Sequence, residues 1–267
     1  VGPLTKHGSG WYAYFWHLSG LFQMKGYVII IGGGALTMPA YHIARDELGL
    51  GIIAMDYDRN TPGMLYADLA IEVSTKDVRG ATLAAKAVAA EMPILGVFTC
   101  GADVEVSVAA IADALALPGL SPEVARRCND KVLMHRYLDE RHFVGKPRYR
   151  IVYSLDHAHS AADEVGFPCV VKPVDNCASR GVQRIDDPFD VSSAFGLAAD
   201  FNIDKSAGVL IEECLVGTKH TIEMIAYAGE WHLLSLIDTH YISPRWPCET
   251  GLNTTQLSPE SQTKVFN

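Results

Sequence analysis

FPCVVKPVDNCASRGVQRI, residues 167–185, is an apolar run that ends in Lys172, followed by a small-residue segment closing on Ser179, Arg180, Gly181 and Val182. Cys169, Val170 and Val171 read as a buried strand, and that places Lys172 where water is scarce. An ammonium group there costs several kcal/mol unless an anion meets it. The loop that follows has the composition that lets backbone amides close around phosphate oxygens, and a loop over a reactive intermediate keeps water off it. Taken alone, the same loop also reads as an ordinary hairpin turn.

Upstream, the chain changes character. VIIIGGG, residues 28–34, is a β-branched run ending in glycines, as a fully buried parallel strand does where it enters a tight turn. TMPAYHIARDELG predicts a helix with Pro39 near its start and Gly49 at its end, and GIIAMDYD predicts a second strand reaching Asp56. ADLAIEV, ATLAAKAVAAEM, ILGVFTC and VEVSVAAIADALAL continue the strand and helix alternation of a parallel sheet. A dinucleotide fingerprint needs GxGxxG; Gly32 and Gly34 match, but Thr37 stands at the third position. The match is weak: Asp56 can be read as the acid on a ribose hydroxyl, but such strand-end aspartates are common, and the turn reads rather as a packing device or the wall of a substrate cleft.

Residues 1–23 form an apolar, aromatic stretch too short to span a bilayer and without a small-residue cleavage site, so they read as a leader or non-native extension. Residues 24–120 are expected to form a Rossmann-like domain. A helical connector follows over 121–148, opened by Ser121 and Pro122 and carrying Asn129-Asp130-Lys131, a lysine that composition alone leaves as a solvated residue. From 149 to 267 the order PRYRIVYS, HAHSAADEVG, CVVKPVD, GVQRID, VLIEECL and HTIEMIAYAGEWHLLSLID predicts a mixed α+β domain.

The formal charge of −9 and the lack of a long basic cluster argue against nucleic acid as partner, and no stretch argues for a membrane. The six cysteines, at 100, 128, 169, 177, 214 and 248, have neither CxxC nor metal-type spacing, and reduced thiols in the cytoplasm are the expectation.

Lys131 in NDK, the lysine strand with its serine-glycine loop, and VLIEECLVGTKHTIEM, in that order behind a Rossmann-like domain, resemble the ATP-grasp superfamily. The match is to its carboxylate-amine ligases: L-amino acid ligases, formyl-phosphate-using purine enzymes, biotin carboxylase and carbamoyl phosphate synthase. The resemblance covers residues 24 to about 260 and implies an α/β architecture, a Rossmann-like pre-ATP-grasp domain followed by an incomplete α+β ATP-grasp domain. It implies that Lys131 and Lys172 meet ATP phosphates, converging from opposite lobes, and that Ser179, Arg180, Gly181 and Val182 fold over them. Glu212, Glu213, Cys214 and Leu215 correspond to the strand end that lines the adenine pocket; from the residues alone, the two glutamates read as a solvated edge pair. The family's ribose-binding glutamate is replaced by Gly217-Thr218-Lys219-His220, and since lysine cannot accept a hydrogen bond, the role passes to His220, which on its own reads as a structural strand histidine.

The implied reaction is ATP-dependent activation of a carboxylate as an acyl phosphate, attacked by an amine. Arg180, Arg245 and Glu249 are candidates to grip a substrate, against a plain surface role. The cofactors implied are ATP and Mg2+, with the metal's carboxylate ligands expected beyond residue 267, so the chain alone is expected to be inactive, either as a fragment or as a degenerate relative. A non-catalytic nucleotide-binding module is the alternative. The partners implied are small-molecule carboxylates and amines, and the resemblance leaves room for a homodimer.

Overall fold

A computed structural model of the protein describes residues 13–15, 26–241, 243 and 249–266, and divides the chain into two compact units, one through Asn129 and one from Asp130 onward. The reading of residues 1–23 as a leader falls almost wholly outside the described residues. Its exception is Ala13–Phe15 (β1), whose backbone pairs antiparallel at the edge of the first sheet.

That sheet continues with Tyr27–Ile31 (β2), Gly51–Asp56 (β3), Leu69–Glu72 (β4) and Ile94–Phe98 (β5), in the order β1-β4-β3-β2-β5. The pairs β2–β3, β3–β4 and β2–β5 are parallel. The unbroken β-branched run of β2 follows from burial on both faces. Ile29 and Ile31 point into one core with Ile53, Met55 and the alanines of Val78–Ala89, whereas Ile30 points into another with Ile52, Ala54, Tyr41 and Met64. The helix expected over 37–49 forms as Met38–His42 (α1) and then widens into one π-type turn over Ile43–Glu47.

The glycine turn after β2 is a packing device. A Cβ on Gly33 would lie 2.2 Å from Thr61 Oγ1, and one on Gly63, in the short helix Pro62–Tyr66 (α2), would lie 2.6 Å from Tyr41 Cζ and 2.8 Å from Gly33 Cα. Gly63→Ala therefore sets a helix-propensity gain of about 1 kcal/mol against a backbone contact that cannot yield. We expect the contact to win, with a net loss of about 1–2 kcal/mol read as a lower thermal unfolding midpoint; an unchanged midpoint would contradict the tight packing.

The 121–148 stretch is two helices, not one. Pro122–Asn129 ends at Asp130, whose carboxylate accepts from Val132 N (2.8 Å) and Leu133 N (3.0 Å) and so caps a new helix, Lys131–Glu140. Lys131 is thereby its first residue.

The second unit is built on an antiparallel sheet of Tyr149–Val152 (β6), Cys169–Pro173 (β7), Gln183–Ile185 (β8) and Val209–Glu213 (β9), ordered β6-β9-β7-β8. Val152, Cys169, Val171, Ile185, Val209 and Ile211 pack against the alanine-rich helices Leu155–Val165 and Val191–Phe201. The alternate positions, Lys172, Leu210 and Glu212, face the other way by the two-residue period of a strand. Beyond them, Lys219–Tyr227 (β10), Glu230–Tyr241 (β11) and Glu249–Thr254 (β12) form an antiparallel meander. Among the described residues no helix is long and apolar enough to cross a membrane.

Candidate nucleotide site

Strand register puts Lys172 opposite Leu210 and Val170 opposite Glu212, so Lys172 and Glu212 are diagonal neighbours on one face. The Lys172 ammonium donates to Glu212 Oε1, with side-chain exposures of only 17% and 11%. His135 Nε2 donates to the other oxygen, Oε2, at 3.2 Å. Burial pushes the Glu212 carboxyl up, but the His135 hydrogen bond and the Lys172 charge together outweigh it and hold the group below its ordinary value.

Lys131 enters the same neighbourhood from the start of its helix. Its ammonium donates to Asn176 O (2.6 Å) and Val174 O (3.3 Å), tying the helix to the beginning of the 175–182 loop. Burial, and then the positive charge of Lys172, lower its pKa. Two like charges close enough to act on each other in a half-buried site, with only Lys172 ion-paired to a carboxylate among the described residues, make a place that favours a further anion. Both lysines belong to the second unit, so the expected approach from opposite lobes is corrected: Lys131 is held by the loop that follows the Lys172 strand.

The loop has a shaped backbone. Ala178, Ser179 and Gly181 all have positive φ (55°, 55° and 71°), and the turns close through Arg180 N to Cys177 O and Val182 N to Ser179 O, each 3.2 Å. Its base is fixed by Asp175, whose carboxylate accepts from Ile203 N (2.8 Å) and Asp204 N (2.7 Å). Ser179 and Arg180 are exposed, Val182 is half-buried and Gly181 is buried. Arg180 Nη1 lies 3.5 Å from Asn176 Oδ1, within the loop itself.

At the end of β9 the two glutamates part. Glu212 pairs with Lys172, whereas Glu213 Oε2 accepts from Arg148 N and Nε, both at 3.3 Å, and those bonds hold its carboxyl low. The solvated-pair reading of Glu212 is therefore corrected by its burial, whereas the Glu213 carboxylate is taken up by Arg148. Cys214 N donates to Pro168 O at 3.2 Å, and Leu215 follows with 63% exposure, an uncovered apolar side chain just past the end of β9.

His220 has both ring nitrogens engaged: Nδ1 with Asp238 Oδ1 at 2.7 Å and Nε2 with Thr218 Oγ1 at 2.8 Å. The carboxylate can only accept, so Nδ1 donates to Asp238, and Thr218 already meets Nε2. Glu249 is ion-paired with Lys219, the surface reading of that residue. Arg245 lies outside the described residues. Asp56 is spoken for: Oδ2 accepts from Gly33 N (2.7 Å) and Oδ1 from Asp58 N (3.1 Å), so the carboxylate closes its own glycine turn and is not free for a ribose.

A separate cleft of about 600 Å³ borders β6, lined by Arg136, Lys146, Tyr149 and Arg150 among others, and its lining includes neither lysine of the site. Its charges are largely paired internally, Lys146 with Asp139 and Arg150 with Glu164. Among the described residues no three of His, Cys, Asp and Glu come together, so the residues here do not make up a magnesium site.

His135, Asp130 and Asp238 escaped the sequence reading. His135 had a signal, four residues after Lys131 and hence on the same helical face. Asp238 had none, because its place beside His220 follows only from the register of β10 with β11.

No protein-family model matches the chain. It is similar to the formate-dependent phosphoribosylglycinamide formyltransferase of Cupriavidus metallidurans, 28% identical over 227 residues, covering 81% of this chain and 53% of that protein. The chain thus spans about half the length of the curated relatives it matches. Among solved structures it is similar to L-amino acid ligase from Bacillus licheniformis, with a TM-score of 0.71, 21% identity, and coverage of 91% of this chain and 58% of that one. It is likewise similar to N5-carboxyaminoimidazole synthetase from Staphylococcus aureus complexed with ADP, with a TM-score of 0.70, 14% identity, and coverage of 91% and 61%. At these identities the structural likenesses show a shared fold.

Proposed function

We propose that this chain, whose fold is that of the ATP-grasp carboxylate-amine ligases, is the nucleotide-holding part of an ATP-dependent ligase. The observation that carries the reading is the closeness of two part-buried lysines, Lys172 on Glu212 and Lys131 on the carbonyls of Val174 and Asn176, at the start of a loop of left-handed backbone. In this reading the triphosphate lies against the two ammonium groups, and Ser179, Arg180, Gly181 and Val182 close over its oxygens. Adenine rests at the β9 end against Glu212, the backbone of Glu213 and Cys214, and Leu215, while His220 Nε2 meets a ribose hydroxyl in exchange for that of Thr218.

The protein's part in such chemistry is positioning and charge neutralisation. A carboxylate oxygen of the substrate attacks the γ-phosphorus and ADP leaves. The amine then attacks the acyl carbon of the mixed anhydride, and inorganic phosphate departs with the bonding pair. Lys172 and Lys131 balance negative charge on the phosphates, and the loop excludes the water that would hydrolyse the acyl phosphate. The described residues do not supply a ligand set for magnesium. Small carboxylates and amines are the substrates, in the cytosol; formate is the first acid to try, since the curated relatives are formate-dependent.

The test is ATP-dependent phosphate release by the whole protein over a panel of carboxylates, formate included, each with and without amines. We expect release above background only with a matched acid and amine. Nucleotide binding with no release for any pair would leave a binding module in place of a ligase.

A further inference from the structure

One buried polar side chain stands against the lysine site with no part in the scheme above. His135 lies one helical turn after Lys131, with 3% of its side chain exposed. It touches the site through Glu212 alone: its Nε2 takes Oε2, and Lys172 takes Oε1. Its ring stacks on Tyr149, centroids 4.2 Å apart and planes within 20°, and its Nδ1 is buried with no hydrogen-bond partner among the described residues. The ring is thus oriented by two contacts, one polar and one aromatic.

A buried carboxylate with a single donor turns both oxygens toward it and holds it tightly, because charge pairs are strong away from water. Sharing prevents this. With His135 on one oxygen, Glu212 presents only the other to Lys172, and the rest of the ammonium's donors remain available. We infer that His135 is a positioning residue, dividing the Glu212 carboxylate so that the Lys172 ammonium is aimed at the nucleotide phosphates and not captured by the protein. The inference rests on the nucleotide reading given above.

The two contacts separate by substitution. His135→Phe keeps a ring over Tyr149 and removes the N–H; His135→Gln keeps an N–H donor and removes the stack. ATP affinity is measured by titration calorimetry on the whole protein, alone and in a Glu212→Gln background, with thermal unfolding as a parallel reading. We expect His135→Phe to weaken ATP binding about tenfold, the loss of one hydrogen bond to a charged group, and His135→Gln to stay within about threefold of the unsubstituted protein. In the Glu212→Gln background the effect of His135→Phe should vanish, since the two residues act as one unit. Unaltered binding by His135→Phe, binding by His135→Gln as weak as the Phe variant's, or an effect that persists without the carboxylate would overturn the inference while leaving the nucleotide site standing. The Gln arm decides even if the Phe variant does not fold. Failure of the unsubstituted protein to bind ATP would instead overturn both.

Discussion

Lys172→Met should weaken ATP binding by roughly tenfold to a hundredfold, the loss of charge-assisted contacts of about 1.5–3 kcal/mol. It should also destabilise the second unit in a way that identifies its cause. Glu212 is buried between Lys172 and His135, and removing the ammonium leaves a buried carboxylate with the His135 ring as its remaining donor. Breaking such a pair from one side costs about 3 kcal/mol or somewhat more at neutral pH. In the unsubstituted protein the Glu212 carboxyl is held below its ordinary value, so its contribution to stability is present above about pH 4.3 and is lost as pH falls through the folded value. Without Lys172 the part of that depression due to the ammonium is gone, so there is less pH-dependent stability to lose. The gap in unfolding free energy between the two proteins should therefore narrow as pH falls below about 4.3. A gap that stays constant over that range would show that Lys172 does not hold Glu212.

The second large effect is expected at the loop. Gly181 has φ of 71°, and a Cβ there would lie 2.8 Å from Phe201 Cβ and 2.9 Å from Pro173 Cγ. Alanine meets both the left-handed penalty of about 1 kcal/mol and a clash of about the same size or more, for a loss near 2–3 kcal/mol. Gly49→Ala is the control, because Gly49 has φ of 65° with open space around its Cβ position, and should cost only the backbone part. Equal losses at the two positions in denaturant unfolding would mean that the loop does not pack as described.

Much of this site was legible in the order of residues. The strand before Lys172 announced itself because two valines in an apolar run need a buried place, and the period of two then fixed which side the lysine faces. Glu212 was found by resemblance, but its burial against two donors was not, since the sequence gives no register between β7 and β9. The break at Asp130 was written there in the form of an N-cap residue and was passed over because the apolar pattern runs on through it. The Asp56 reading failed for a geometric reason: a strand-end aspartate beside a glycine turn satisfies that turn's own amide before it can serve any ligand. Ala13–Phe15 could not be placed from composition, as an edge strand of three residues has no period to read.

The central claim is that Lys131, Lys172 and the 175–182 loop hold one nucleotide, and amide hydrogen exchange on the whole protein with and without ATP tests it most directly. The account predicts that ATP slows exchange in the loop and at the β9 end around Cys214 and Leu215, with Lys172→Met abolishing the protection. ATP-dependent protection that falls elsewhere and leaves these two segments unchanged would contradict it.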